Sequence, residues 1–430
     1  MLQKIQSLLF ENQSLGKKIV KNAFWLFSGQ ILGRFIRAAI VIYAARVLGP
    51  ASWGAFSYAM GLVAFLTIFS DVGVSAIVTR ESARDPEISN KYFSTAFFIK
   101  LALLLLGAGV LLLGAPYLTK IEEAKTLLPL ITLVLIFDSL RNFGFALSRA
   151  KEKMAWEGAN EIATNLFISL FGFLLLLVSP TSRSLTASYV LATGIGFLII
   201  SWQLKPYFEN LFRHFDYSLI KPILSAAWPF ALASSLGAIM INTDMIMLGW
   251  FRSAEEVGWY AAAQRPVQLL YIFPTLFAAS LFPTLTRLAH RDKEKFRSIL
   301  ETSLRLAIPA AVAITVIGVL FGNQIIDLLF GGAYQNAVAA FQILLFTILI
   351  IYPSAIITNA VFAYNEQKGF LLFSTLGAGG NILFNLLLIP PLGIAGCALA
   401  TLITQLIANG FMWRKMKQIN KFSLLSRFHF

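Results

Sequence analysis

Residues 97–116 read FFIKLALLLLGAGVLLLGAP. Lys100 is the one ionisable group in this run, and a helix needs ~20 mostly apolar residues to cross the hydrocarbon of a bilayer. The run has that length. Leu127 to Phe137, Leu166 to Val178 and Ile343 to Ile357 repeat the pattern without a charge. The chain as a whole is 57% hydrophobic and 13% charged, where a soluble domain carries roughly 25% charged residues. A chain of 430 residues with this composition cannot cover a water-facing surface. The expectation is therefore an all-α polytopic membrane protein. Its expected spans, about twelve by the length criterion, are 20–47, 53–80, 92–116, 125–149, 157–179, 184–204, 222–250, 257–288, 297–321, 335–364, 369–389 and 394–414.

The connections between these runs are short, and none can hold a folded soluble domain. The longest polar stretch, near 205–221, divides the chain. The expected organisation is an N-terminal six-helix bundle at 1–205, a cytoplasmic linker at 206–221, a C-terminal six-helix bundle at 222–417 and a cytoplasmic tail at 418–430. A faint internal repeat agrees. Trp53-Gly54-Ala55-Phe56-Ser57-Tyr58-Ala59 follows the first span, and Val257-Gly258-Trp259-Tyr260-Ala261-Ala262-Ala263 follows the seventh. Two halves of the same orientation, related by an axis along the membrane normal, would give this pattern. Residues 1–18 lack the apolar core of a signal peptide. The lone Cys397 rules out an intramolecular disulfide framework.

The net charge of +14 is read as topology and not as nucleic-acid binding, because the cations lie between apolar runs. With the N-terminus in the cytoplasm, 24 of the loop cations fall inside and four fall outside: Lys120, Lys125, Arg183 and Arg252. Both termini are then cytoplasmic, in a cytoplasmic (inner or plasma) membrane.

Seven cations remain within spans. Arg46, Lys100 and Arg305 lie near helix ends and can snorkel to the headgroups. Arg34, Arg37, Arg141 and Arg265 lie deeper, where a cation costs roughly 2.5–3.5 kcal/mol on insertion scales. Gln30, Arg34 and Arg37 share one face of the first helix, and no acid shares it. Two readings follow: a wet cationic cavity for an anionic ligand, since guanidinium suits phosphate, or pairing with Asp71, Asp138 or Asp244 of other helices. Asp138 and Arg141, three apart with Asn142 beside them, read as a local pair. Asp244 follows Asn242, and Arg265 is flanked by Gln264 and Gln268. Asp244 is expected to pair with Arg265, with a proton or sodium site as the alternative. Asp71 and Glu161 are further candidates for ion coupling. Gln342, Asn359, Asn381 and Asn385 are polar groups suited to contacting sugars.

Nothing in the sequence suggests an enzyme. His214, His290 and His429 are scattered over cytoplasmic segments, and there is no phosphate loop, metal-ligand spacing or catalytic triad. No cofactor is expected beyond a coupling ion, H+ or Na+. Prolines recur within spans at Pro229, Pro266, Pro274, Pro283, Pro309 and Pro353, where they tend to kink helices.

Several strings carry a resemblance. Ala44-Ala45-Arg46-Val47-Leu48-Gly49-Pro50, Trp53 to Ser57, Ser70-Asp71-Val72-Gly73-Val74 and Thr79-Arg80 resemble the start of the polysaccharide biosynthesis (Wzx-type) flippases. Asn242-Thr243-Asp244-Met245-Ile246-Met247-Leu248-Gly249 and Glu256 to Arg265, with Pro283 further on, are similar to that family's second half. The family belongs to the multidrug, oligosaccharidyl-lipid and polysaccharide exporter superfamily. The resemblance implies two six-helix bundles (MATE/MurJ-like) around a central cationic cavity. It implies a flippase for a polyprenyl-diphosphate-linked oligosaccharide, such as an O-antigen unit, working by alternating access. At the level of helices it also implies that Arg34, Arg37 and Arg265 face the diphosphate, and Gln30 and Gln268, beside them in sequence, are counted with them in the candidate cavity. The implied partners are the lipid-linked glycan, membrane lipids, and a glycan polymerase or glycosyltransferases. The alternative is a multidrug or metabolite cation antiporter of the same superfamily, which would favour an acidic cavity. A membrane-embedded glycan polymerase or ligase would carry a long outer catalytic loop, and none is seen.

Overall fold

A backbone in hydrocarbon must satisfy its N–H and C=O groups within its own segment, so apolar runs of this length fold as helices. The structure, a computed structural model, describes residues 15–422 and has no strand among them. The side chains of Lys4, Lys17, Lys18, Lys368 and Arg427, together with His429 and most of the expected 418–430 tail, lie outside the described residues. In chain order the principal helices are α1 (Leu15–Phe69), α2 (Val74–Arg84), α3 (Ser89–Gly109), α4 (Glu122–Ala150), α5 (Met154–Val178), α6 (Ser182–Gln203), α7 (Ile220–Phe251), α8 (Ala254–Leu270), α9 (Ile272–Leu288), α10 (Lys293–Leu320), α11 (Gly322–Phe330), α12 (Ala337–Ala363) and α13 (Gln367–Ile419).

Among the described residues, eight helices are long and apolar enough to cross a membrane, or up to ten if each bent pair counts as one span. The expected twelve exceeds that count by two. The difference falls inside the two longest helices. α1 runs on through Gly49, with φ 71°, where the sequence places a turn between spans 20–47 and 53–80. α13 runs on through Gly393, with φ 58°, between 369–389 and 394–414. Both values lie in the left-handed region that glycine enters without steric penalty, and a proline follows or precedes each break within three residues. Large apolar side chains such as Leu113, Leu177, Val178 and Leu320 are largely exposed. Such a surface is stable against lipid, and the chain is a multi-pass membrane protein.

Two compact units form. One comprises residues up to 48 with 58–235, the other residues 49–57 with 236–430. Their boundary falls inside α7, whereas the sequence division lies in the 206–221 linker. In the first unit, Ile223 and Ala227 of α7 are buried with Val74, Ile77, Phe93, Phe143 and Ile200. Gly73, at φ 79°, admits that helix: a Cβ there would lie 2.6 Å from the Ala227 carbonyl oxygen.

In the second unit, Leu285, Phe296, Leu300, Ile356, Val361 and Met412 are buried together. The 49–57 segment packs into this unit at closest backbone range. A Cβ on Gly54 would strike the carbonyl of Ala254, and one on Gly258 the carbonyl of Pro50. Gly54 and Gly258 hold matching places in the internal repeat, so the two copies of the motif meet there. Small residues let backbones approach where lipid provides no hydrophobic drive.

This contact predicts a contrast. Gly258→Ala forces the backbones apart, and overpacking of this kind costs ~1–3 kcal/mol, so the melting temperature and folded yield in detergent should both fall. Gly379→Ala, an exposed helical site with nothing within 4 Å of the new Cβ, should be neutral or stabilising by up to ~1 kcal/mol. Thermal unfolding followed by size-exclusion chromatography checks both. Equal behaviour of the two variants would contradict the packing account.

Candidate functional site

The first unit holds a cluster of charged groups from α1, α3, α4, α5 and the bend between α1 and α2. α1 lies along α5 by a stripe of small residues: a Cβ on Gly29 would meet Gly158 Cα at 2.6 Å, and one on Gly33 would meet Asn165 Nδ2 at 2.7 Å. Arg37 follows one turn later on this stripe. Its Nε donates to Asn165 Oδ1 at 2.6 Å, and its Nη2 lies 3.8 Å from Glu161 Oε1. Asn165 Nδ2 donates to the Glu161 carbonyl at 2.8 Å and to Glu161 Oε1 at 3.2 Å. The other carboxylate oxygen, Glu161 Oε2, accepts from Arg141 Nη1 at 2.9 Å. Arg141 Nη2 donates to Asp138 Oδ1 at 2.7 Å, and Asn142 donates to Asp138 Oδ2 at 3.0 Å. Arg141 is buried and stands 5.2 Å above the Phe145 ring.

Asp71 sits where the chain bends between α1 and α2. The two helices meet at 46°, and Val72 and Gly73 both adopt positive φ. This bend turns the Asp71 carboxylate to Lys100 Nζ at 2.7 Å and to the Ser75 hydroxyl at 2.5 Å. Lys100 is 2% exposed. The snorkelling expected for it is thus corrected: its four-carbon stem turns inward because an acid of a neighbouring segment is there to receive it. Arg37, Arg141 and Lys100 therefore stand against Glu161, Asp138 and Asp71, three cations to three anions.

Arg34 is outside this balance. It is exposed, and the structure gives it no hydrogen bond or ion pair among the described residues. Gln30, one turn earlier, is exposed as well. The single polar face expected for Gln30, Arg34 and Arg37 thus divides. Gln30 and Arg34 are open, while Arg37 belongs to the packed stripe with Gly29 and Gly33. The four-residue glycine spacing is the signal in the sequence that distinguishes them.

The second unit holds the buried Asp244, 2% exposed. Its Oδ1 accepts from Asn381 Nδ2 and Asn385 Nδ2, each at 2.8 Å. Its Oδ2 accepts from the Tyr260 and Thr401 hydroxyls, each at 2.7 Å. Arg265 is not among these four donors, which are neutral. Two amides and two hydroxyls thus satisfy the carboxylate as a cage. Arg265 and Gln268 are half-buried on α8. Asn381 and Asn385, expected to contact sugars, are committed to Asp244, while Gln342 and Asn359 donate to the carbonyls of Val319 and Ala355. Among the described residues no three His, Cys, Asp or Glu side chains converge as a metal site.

A family model described as polysaccharide biosynthesis protein matches residues 19–289, more than half of the chain. The probable flippase AglR of Haloferax volcanii is 26% identical over 427 residues, covering 91% of this chain and 82% of that protein. The putative O-antigen transporter of Shigella flexneri is 23% identical, covering 81% of this chain and 86% of its own length. Among solved structures, the lipid II flippase MurJ in an inward closed conformation matches with a TM-score of 0.72 at 19% identity, over 91% of this chain and 87% of that one. An inward-facing multidrug resistance MATE family transporter of the MOP superfamily gives 0.68 at 16% identity, over 98% and 99%. At such identities the structural likeness is one of fold. The chain has the all-α, MATE/MurJ-like fold expected of it.

Removing one partner of a buried ion pair leaves an uncompensated charge and costs ~3 kcal/mol or more. Lys100→Met should lower the melting temperature markedly, and adding Asp71→Asn should restore most of the loss. A double mutant no more stable than Lys100→Met would show that the two groups are not coupled.

Proposed function

The chain belongs to the polysaccharide biosynthesis protein family, and we propose that it is a flippase moving a polyprenyl-diphosphate-linked oligosaccharide across the cytoplasmic membrane by alternating access. The observation that carries this reading is the surplus cation of the first unit. The acids around Arg37, Arg141 and Lys100 are used by those cations. Arg34, one turn from Arg37, is left for an anion that the protein does not supply. A cation at membrane depth carries a cost of a few kcal/mol, so its retention is accounted for by a ligand of opposite charge. A diphosphate fits, because guanidinium donates to phosphate oxygens through paired N–H groups. The glycan would occupy a wet path, and the polyprenyl chain would remain in lipid.

The positive-inside pattern supports cytoplasmic termini, with the substrate loaded from the cytoplasmic face. Glycosyltransferases would supply it there, and a glycan polymerase would be a natural consumer on the far side. A cation antiporter of the same superfamily would be served by the opposite balance, with acids in surplus.

A second element of the reading concerns energy coupling. The two carboxylate oxygens of Asp244 are met by the Asn381 and Asn385 amide nitrogens and the Thr401 and Tyr260 hydroxyls. Asn385 Oδ1 is buried without a hydrogen-bond partner. A buried intramembrane carboxylate held only by neutral donors could exchange those hydrogen bonds for a proton or a monovalent cation. We assign Asp244 as the coupling-ion site, for Na+ or H+.

Arg34→Ala should abolish surface glycan, measured by lectin or antiserum binding on cells depleted of their own flippase, while membrane insertion is unchanged. Arg34→Lys should retain part of the export. Normal export in Arg34→Ala would sink the anion-site reading. Separately, Asp244→Asn keeps the shape of the cage and removes its charge. In proteoliposomes its transport should lose the response to an imposed Na+ or pH gradient that the wild type shows. An unchanged response would remove Asp244 from the coupling role.

A further inference from the structure

Glu161 and Asn165 do more than fill space beside Arg37. The glycine stripe of α1 brings the backbone so close to α5 that the Arg37 stem lies along that helix. Ser169 Oγ donates to the Ile36 carbonyl at 3.1 Å, and a Cβ on Gly172 would lie 2.7 Å from Ile40, so the parallel contact continues past Arg37 on both sides. The Asn165 amide is fixed from both ends, because its oxygen takes Arg37 Nε and its nitrogen gives to Glu161. Turning the amide over would lose all three bonds. The Nε bond therefore sets the plane of the guanidinium.

The terminal nitrogens are held far more loosely. Arg37 Nη2 is 3.8 Å from Glu161 Oε1, beyond a hydrogen bond. The same carboxylate gives its other oxygen to Arg141 at 2.9 Å. The Arg37 side chain is 39% exposed, and the exposed Arg34 lies three residues before it.

We infer that Asn165 is the positioning residue that aims Arg37 at the substrate's anionic group, and that Glu161 is the counter-anion that the diphosphate displaces from Arg37. The inference rests on the flippase reading above. In the unloaded protein Glu161 Oε1 offsets the Arg37 charge without forming a bond. When a diphosphate reaches Arg34, a phosphate oxygen takes over the Nη edge of Arg37. Glu161 then keeps Arg141 as its partner, so no acid is stranded. On release the order reverses. No covalent step is involved.

The two residues thus have opposite effects on binding, which a merely structural role would not produce. The test uses the purified full-length chain in detergent with geranylgeranyl diphosphate as probe and geranylgeraniol as the uncharged control. Binding is followed by intrinsic tryptophan fluorescence, with melting temperatures recorded for each variant. Arg34→Ala should weaken diphosphate binding by about tenfold or more, the worth of one charge-assisted contact. Asn165→Ala should weaken it by about five- to tenfold, through loss of aim. Glu161→Gln should tighten it by about threefold or more, because the competing charge is gone while the Arg141 contact survives. The alcohol should bind all variants alike. If Glu161→Gln does not fold, Glu161→Asp draws the carboxylate back by one methylene and should shift binding in the same direction.

Weakening by both the Asn165 and Glu161 variants, or no change in either, would overturn the inference. If Arg34→Ala loses binding while Glu161→Gln fails to gain it, the anion site stands and only this inference falls. If Arg34→Ala also binds normally, the flippase reading of the site itself has failed.

Discussion

A charge in hydrocarbon must be matched or wetted, and the interior of this protein is arranged around that requirement. The desolvation of one ion costs several kcal/mol even after relaxation, and mutual attraction offsets this only with close geometry and further hydrogen bonds. Arg141 meets those terms: two carboxylates at 2.7 and 2.9 Å and the face of Phe145 leave it with two formal counter-charges. The excess negative charge this creates is answered by Arg37 on one side, through Glu161. On the other side Lys100 lies within the field of Asp138 while bonded to Asp71. The groups are thus best seen as one alternating row. Deleting a member would leave its neighbours unmatched, so these residues tie α1, the bend before α2, α3, α4 and α5 into one arrangement.

The row needs close helices. In lipid the hydrophobic effect gives helices little reason to associate, and van der Waals contact across small residues takes its place. Gly29 and Gly33 against Gly158 and Asn165 supply that contact in the first unit, and Gly54 and Gly258 supply it in the second. The position of Arg37 follows from this. A guanidinium one turn beyond two glycines lies where its own helix is pressed against the next, and it must be satisfied by that helix. Arg34, three residues earlier, points off the stripe and meets no such demand. Backbone packing therefore decides which arginine is structural in part and which is free.

Much of the architecture was legible in the sequence, because apolar runs near 20 residues have one outcome in a bilayer. Observed bounds such as Glu122–Ala150 and Lys293–Leu320 lie within a few residues of the expected spans. The misreadings share a cause. Local spacing announces the Asp138–Arg141 pair, three residues apart. It cannot show that Glu161, twenty residues further on, completes the Arg141 environment, or that Lys100 turns inward to Asp71. Asp244 was legible as an expensive charge, but its partners come from 16 to 157 residues away. Asn381 and Asn385 stand out in the sequence as polar groups, but only the fold shows that they, with Tyr260 and Thr401, meet a carboxylate. The glycine spacing at 29 and 33 was readable, and it separates Arg34 from Arg37 where helical periodicity alone groups them.

The two acidic clusters handle their charge in opposite ways, and this bears on transport. In the first unit the carboxylates of Glu161, Asp138 and Asp71 are matched by Arg37, Arg141 and Lys100, and Arg34 stands outside that row. In the second, the Asp244 carboxylate is met by four neutral donors. Neutral dipoles can stabilise a carboxylate without supplying a counter-charge. Under the function proposed above, a carrier of an anionic lipid that drew on a cation gradient would need both kinds of site. One must let an anion go as readily as it took it up, and the other must hold a cation only while it is present. Charge matching in the first unit and hydrogen bonding by neutral groups in the second would suit those two behaviours, built from the same few residue types.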